Sequence, residues 1–159
     1  MARDKYDALE IANYFLYKRH GRLTPMQVIK LVYFAHGWTL KLTSGKPLIN
    51  ENVEAWRWGP VVRSVYNAYK HHGEDFIRGA NPKKYKSIDR HKNILDRVLE
   101  LYGQKSGLEL SALTHKEGTP WHTVFVKQRR NGGSASIPDH LIKEYFDGVL
   151  LKKESDNES

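Results

Sequence analysis

Apolar residues recur along most of this chain at the three- and four-residue spacing that places them on one face of a helix. This period begins after Asp4 and returns in successive segments up to the one that opens at Pro138. It predicts a mainly α fold, a compact bundle of about six to seven helices in one domain over residues 4–150. Residues 151–159 are polar and are expected to form a disordered tail.

Helix starts are marked by local capping signals. In Thr24-Pro25-Met26-Gln27, Thr24 is suited to the N-cap, Pro25 to the first turn, and Gln27 to the reciprocal position of a capping box. Ser106 and Glu109 repeat the layout, and Gly103 is placed to end the helix before them. The sequence therefore predicts two helices opened by capping boxes.

The second predicted helix carries a core stripe and an adjacent face. Its core stripe is expected to contain Val28, Leu31, Val32, Ala35, Trp38 and Leu42. Lys30 and Tyr33 fall on the neighbouring face at one-turn spacing, with Phe34 and Gly37. We expect Lys30 and Tyr33 to stay accessible to a partner.

One short region has the period of strands instead. Leu48-Ile49 and the segment Val53 to Trp58 are predicted to pair as a small β-hairpin, across residues 50–52. Gly59-Pro60 is expected to break this segment and open a third helix. By composition, 74–86 is predicted to be a flexible connection and 130–136 a mobile loop.

Length and composition limit the class of protein. A chain of 159 residues has the size of one domain and can bury about two-thirds of its unfolded surface. No apolar stretch approaches the ~20 residues that cross a bilayer, so no membrane partner is expected. The amino terminus lacks the layout of a secretory signal, which predicts a cytoplasmic protein. The absence of cysteine excludes disulfides and thiolate sites, and no cofactor or metal site is predicted.

The formal net charge of +8 raises the question of nucleic acid. Basic residues concentrate between Lys83 and Lys92, and again at Lys127, Arg129 and Arg130. Lysine-rich loops are usually solvated surface, and no RNA-binding motif or zinc finger accompanies them. The electrostatic field of this positive charge also attracts an acidic protein partner. Nucleic-acid binding is therefore kept as an alternative.

Catalytic motifs are mostly missing: the sequence has no glycine-rich phosphate loop, no strand-elbow serine and no metalloprotease histidine pair. One alternative remains, a metal-independent ribonuclease. It would use His36, His115 and His122 with Glu54 or Asp89 as acid and base. Each histidine also has a structural interpretation, as a hydrogen-bonded residue at a helix junction. We predict that the protein is not an enzyme.

Trp56-Arg57-Trp58 concentrates two indoles and a guanidinium in one short segment. Tryptophan and arginine are enriched in the hot spots of protein interfaces. Large aromatic residues in small domains are also mostly buried, so one of the two tryptophans is expected in the core. The segment predicts a surface that binds another protein.

Several separated blocks resemble the Panacea antitoxin domain, the SocA-like and GepA-like group of bacterial and phage-associated proteins. The blocks are ANYFL from Ala12, LTPMQVIKLVYFAHGW from Leu23, EAWRWGPVVRSVY from Glu54 and YGQKSGLELSALTHKEGTPW from Tyr102. They occur in the order of the family, and the match covers most of the chain, about residues 6–150. The resemblance implies the neutralising half of a type II toxin–antitoxin pair, whose cognate protein toxin is encoded by an adjacent gene. It also implies a second possible role, as an adaptor that presents the toxin to a cellular protease.

The resemblance and the residues together give two sets of candidate positions. Seven residues are predicted to bind the toxin: Lys30, Tyr33, His36, Trp56, Arg57, Arg63 and Tyr66. Six are assigned mainly to architecture: Trp58, Gly59, Pro60, His115, Pro120 and Trp121. On this division, alanine at Arg57 or Tyr33 is expected to weaken toxin binding and to leave thermal unfolding almost unchanged.

Overall fold

The computed structural model describes residues 4–78, 88–131 and 134–158, with side chains omitted for 128–131 and 150–158. Within these ranges the chain forms seven α-helices and three short strands, and the predicted mainly α fold is confirmed. In chain order the elements are α1 (Ala8–Lys18), α2 (Pro25–Leu42), β1 (Val53–Trp56), β2 (Gly59–Val61), α3 (Arg63–Tyr69), α4 (Lys92–Tyr102), α5 (Gly107–Thr114), α6 (Pro120–Asn131), β3 (Ser136–Ile137) and α7 (Asp139–Glu158).

Both predicted capping boxes are confirmed. The Thr24 N–H donates to Gln27 Oε1 at 2.8 Å, and the Gln27 N–H donates to Thr24 Oγ1 at 3.3 Å. Ser106 and Glu109 exchange the equivalent pair of bonds, each at 3.1 Å. These side chains satisfy N–H groups that have no partner inside the helix, which fixes where α2 and α5 begin.

The long helix α2 lies at the centre of the domain. It packs against α1, α3, α4, α5 and α7, and every residue from Val28 to Leu40 is buried. An apolar helix surrounded on all sides has no solvent-facing stripe in its middle. The expected accessibility of Lys30 and Tyr33 is therefore wrong, since each is only 1% exposed.

No helix in the described ranges is both long and apolar enough to cross a membrane.

The sheet differs from the predicted hairpin. β1 is the middle strand of the order β2-β1-β3, and it pairs antiparallel with both neighbours. Its hairpin partner is β2, so the two-residue turn is Arg57-Trp58. Ile49 instead forms an isolated bridge with Tyr6. Gly59-Pro60 therefore lies in a strand, and the prediction that it opens a helix is wrong.

Two other boundaries differ from the sequence expectation, and several basic residues are not described. The 130–136 segment, expected as a loop, contributes to the end of α6 and to β3, and α7 continues to Glu158, past the expected domain end at 150. The predicted flexible connection is described only as far as Arg78. Lys83, Lys84 and Lys86 of the basic cluster lie outside the described residues.

Candidate partner-binding site

The Arg57-Trp58 turn projects from the sheet, and side chains of three helices hold it in place by hydrogen bonds to backbone carbonyls in and beside the turn. Trp121 Nε1 on α6 donates to the Trp56 carbonyl, and Ser111 Oγ on α5 donates to the Trp58 carbonyl at 2.8 Å. Lys30 Nζ on α2 donates to the Pro60 carbonyl at 3.0 Å. Three helices thus hold alternate carbonyls of one short segment, which restricts the motion of the side chains that it displays.

Trp58 is the most prominent of these side chains. It is 59% exposed, and the Arg57 guanidinium carbon lies 5.1 Å from the centre of its ring. A large exposed indole on a fixed turn has the character of an interface hot spot. Trp58 was assigned mainly to architecture on the expectation that a buried tryptophan closes the core. Its exposure contradicts the reason for that assignment.

Trp56 and Tyr66 form the neighbouring wall. Their rings meet edge to face, with centroids 4.8 Å apart, and the Arg63 guanidinium carbon lies 5.1 Å from the Trp56 ring centre. Both aromatic side chains are partly buried against the core. The structure thus brings together Trp56, Arg63 and Tyr66, which were predicted to share a surface.

Glu54 holds this wall together, although sequence analysis considered it only as a catalytic acid. Arg63 donates to both carboxylate oxygens, at 3.1 and 2.8 Å, and Trp56 Nε1 donates at 3.4 Å. The hydrogen bond from Arg63 holds the pKa of Glu54 below its ordinary value. Because the partners are nine residues apart, on β1 and α3, helix periodicity gives no signal for this pair.

We expect Glu54→Gln to lower the melting temperature by about 1–3 °C at pH 7, the effect of a partly exposed ion pair. Since the folded pKa of Glu54 is lowered, the contribution of the pair is fully present above the unfolded pKa near 4.5. It is lost as the pH falls through the lower folded pKa. The difference in melting temperature between wild type and variant is therefore expected to shrink below pH 4.5. A difference that grows on acidification would contradict this account.

Lys30 lies under the turn and is buried. Burial lowers its pKa from the ordinary value to about 7, because the charged ammonium loses its hydration. Gly59 makes the close approach possible. Its φ of +117° belongs to the region that favours glycine, and a Cβ there would lie 2.7 Å from Lys30 Nζ and 2.9 Å from Thr114 Oγ1.

A groove of about 250 Å³ runs between the start of α2, the turn and α3. Its walls are mainly apolar and contain Met26, Ile29, Trp56, Trp58, Val61 and Tyr66. The cationic side chains of Lys30, Arg57 and Lys70 also line it. We call this site the tryptophan groove. Met26, Ile29 and Lys70 were not predicted as site residues, because their proximity to the turn is set by tertiary packing.

Tyr33 and His36 lie away from the groove, in the interior. The Tyr33 ring packs edge-on against Phe146, with centroids 5.9 Å apart. His36 Nδ1 accepts from the Leu48 N–H at 3.4 Å, and its Nε2 donates to Asp139 at 2.8 Å, which lowers the pKa of that carboxyl group. Neither side chain is on a surface in this conformation, contrary to the accessibility that the sequence suggested.

His115 lies at the end of α5, and Pro120 and Trp121 lie at the start of α6. Trp121 is buried and stacks on Phe125, with centroids 4.6 Å apart, and the His115 ring meets its edge at 5.4 Å. His115 bonds to Ser111 on the preceding turn of α5. Pro120 is buried at the start of α6. Of the three, Trp121 supports the segment that carries Trp58, through its hydrogen bond to the Trp56 carbonyl.

The comparison with known proteins identifies the family of this chain. Residues 28–122 match the family described as Antitoxin SocA-like, Panacea domain, and this range includes the turn and the three side chains that hold it. The chain is 33% identical to Antitoxin SocA of Caulobacter vibrioides (strain NA1000 / CB15N), and the match covers 88% of this chain and 82% of that relative. No solved structure matches the chain. The family match and this relative confirm the resemblance, and the chain belongs to the antitoxin SocA-like family of Panacea domains.

Proposed function

We propose that this chain is the antitoxin of a type II toxin–antitoxin pair and that it neutralises its toxin by direct protein–protein contact. The toxin is proposed to be the product of an adjacent gene and to be bound in the cytoplasm. Family membership supports the antitoxin role in general. The contact itself is proposed to centre on the tryptophan groove.

The observation that carries the proposal is the exposed Trp58, on a turn held by hydrogen bonds from three helices to the carbonyls of Trp56, Trp58 and Pro60. Burying a free indole on a partner removes a large apolar surface from water. Because the turn is already ordered, little conformational entropy is lost when it binds. Apolar area and low ordering cost together favour a protein partner at this position.

The ribonuclease alternative has less support from the geometry. His36 is paired with Asp139, and His115 with Ser111 beside Trp121. Glu54, the expected acid, is bound to Arg63 and Trp56. His36, His115 and Glu54 are thus engaged in separate structural contacts and do not pair with one another as acid and base.

The proposal is tested by growth rescue. The adjacent reading frame is expressed from an inducible promoter, with and without this chain, and growth is recorded together with the level of each protein. Rescue with an unchanged toxin level supports neutralisation by binding. Rescue accompanied by loss of the toxin protein would indicate presentation to a protease instead, and a neighbour that stays lethal would contradict the antitoxin role.

Trp58→Ala is expected to abolish rescue while the melting temperature stays within about 2 °C of wild type. Truncation of an interface hot spot costs about 2 kcal/mol or more, roughly a 30-fold loss of affinity. An exposed side chain contributes little to folding. Leu42→Ala is the matched control, because Leu42 has a similar exposed fraction, 52%. It lies at the end of α2, about 24 Å along the helix from Met26, which lines the groove. Equal rescue by both variants would remove Trp58 from the binding surface.

Arg57→Ala is also expected to reduce growth rescue while the melting temperature stays close to that of wild type. Arg57 is exposed, and its guanidinium lies over the Trp58 ring. Loss of this contact is expected to weaken rescue less than Trp58→Ala does, without a change in unfolding.

A further inference from the structure

Lys30 carries a buried ammonium group with little to compensate it. Its Nζ makes one hydrogen bond to the described part of the chain, at 3.0 Å to the Pro60 carbonyl, although an ammonium has three donors. None of the ion pairs among the described residues includes Lys30. A buried charge without a counter-ion is unfavourable, so the position is unusual for a purely structural lysine.

The position of Lys30 connects this group to the tryptophan groove. Lys30 is one of the residues that line the groove, together with Trp56 and Tyr66. At the rim, Arg57 lies over Trp58, and Lys70 Nζ lies 5.6 Å from the Tyr66 ring centre. No Asp or Glu is among the described lining residues. The described lining of the groove thus combines apolar walls with three basic side chains and no acid.

We propose that the tryptophan groove binds an apolar segment of the toxin that presents an Asp or Glu side chain, whose carboxylate pairs with Lys30 Nζ. The inference rests on the proposed antitoxin function. Charge complementarity identifies the occupant, because apolar walls select an apolar segment and the cations select an acid within it. The protein's net charge of +8 favours the approach of such a partner.

This pairing also accounts for the cost of burying the lysine. In the free protein, burial lowers the pKa of Lys30 to about 7, and a carboxylate beside Nζ favours the charged form and raises that pKa again. Part of the free-energy cost of burying the Lys30 charge in the free protein is therefore recovered when the toxin binds. A charge pair excluded from water in this way discriminates strongly against a partner that lacks the acid.

The test is a double-mutant cycle on the purified antitoxin–toxin pair, read as dissociation constants by calorimetry. Lys30→Met is expected to bind the toxin at least tenfold more weakly than wild type, while its melting temperature at pH 7 is unchanged or higher. Lys30→Gln is the second variant, since its amide keeps a donor for the Pro60 carbonyl if Lys30→Met does not fold. Each Asp and Glu of the toxin is replaced in turn by Asn or Gln. One of these replacements is expected to weaken toxin binding to the wild-type antitoxin at least tenfold and to leave binding to the Lys30 variant unchanged.

The outcomes separate this inference from the proposed function. If wild type and both Lys30 variants bind the toxin equally while Trp58→Ala does not, the carboxylate pairing is overturned and the antitoxin role stands. The pairing is also overturned if the loss of affinity from each toxin replacement simply adds to the loss from replacing Lys30. The same holds if amidation of the toxin's carboxyl terminus is the only change whose effect depends on Lys30. A wild-type chain that neither binds nor rescues would contradict both.

Discussion

Tyr33→Ala is expected to lower the free energy of unfolding by about 3–5 kcal/mol, the range measured when a buried aromatic residue is truncated. The Tyr33 ring is 1% exposed and packs against Phe34 and Phe146, with centroids 5.8 and 5.9 Å away. Its removal leaves a cavity in the middle of the domain, between α2 and α7. Chemical denaturation followed by circular dichroism measures the loss.

The control is Tyr33→Phe, which keeps the ring and is expected to cost less than about 1.5 kcal/mol. The sequence prediction was the reverse, that Tyr33 is accessible and that alanine there leaves unfolding unchanged. Unchanged stability of Tyr33→Ala together with lost toxin binding would restore that prediction. It would also contradict the buried position of Tyr33.

Gly37→Ala is expected to destabilise the protein by about 3 kcal/mol, at the upper end of the usual range for overpacking. A Cβ at this position would lie 2.2 Å from Phe146 Cε2, well inside van der Waals contact. The Phe146 ring has little room to move, because Tyr33 and Phe34 both pack against it. The missing side chain at Gly37 therefore allows α7 to approach α2.

Gly148→Ala is the matched control for Gly37→Ala. Gly148 lies on α7, and among the described residues a Cβ there meets no atom within 4 Å apart from its chain neighbours and the backbone of its own helix. Alanine at an exposed helical position is expected to stabilise by about 0.5–1 kcal/mol. If the two alanine variants unfold at the same denaturant concentration, close packing of α7 on α2 is not what requires glycine at position 37.

These two core positions show why the second helix was only partly predictable. Its start follows from Thr24 and Gln27, which bond within one turn, so the sequence contains the whole signal. Its accessible face was predicted from a period that assumes one side in water. Because other helices surround α2, Lys30 and Tyr33 are buried by contacts that no local window of sequence contains.

Gly59-Pro60 shows a different limit. Proline after glycine favours a helix start, because proline lacks an N–H and its φ suits the first turn. The same properties suit an edge strand, and β2 is an edge of the sheet β2-β1-β3. The choice depends on whether β1 is available as a neighbour. Local sequence therefore admitted both structures, and the register with β1 decides between them.

The candidate site was predictable in its composition but not in its arrangement. The Trp56-Arg57-Trp58 segment is recognisable from the sequence as a dense group of interface residues. Which indole faces solvent depends on the strand register and on Trp121 and Ser111, which lie more than 50 residues away. The groove likewise requires α2 beside the turn. Family resemblance gave the general role, and only the structure gave the exposed residue.

Photo-cross-linking from position 58 tests the central claim, direct contact between the turn and the toxin, most directly. p-Benzoylphenylalanine replaces Trp58 in one variant and the exposed control Leu42 in the other, and each is co-expressed with the toxin and irradiated. We expect a covalent antitoxin–toxin adduct from position 58 and none from position 42. An adduct from position 42 alone, or none from either position in cells that the antitoxin still rescues, would contradict neutralisation through the tryptophan groove.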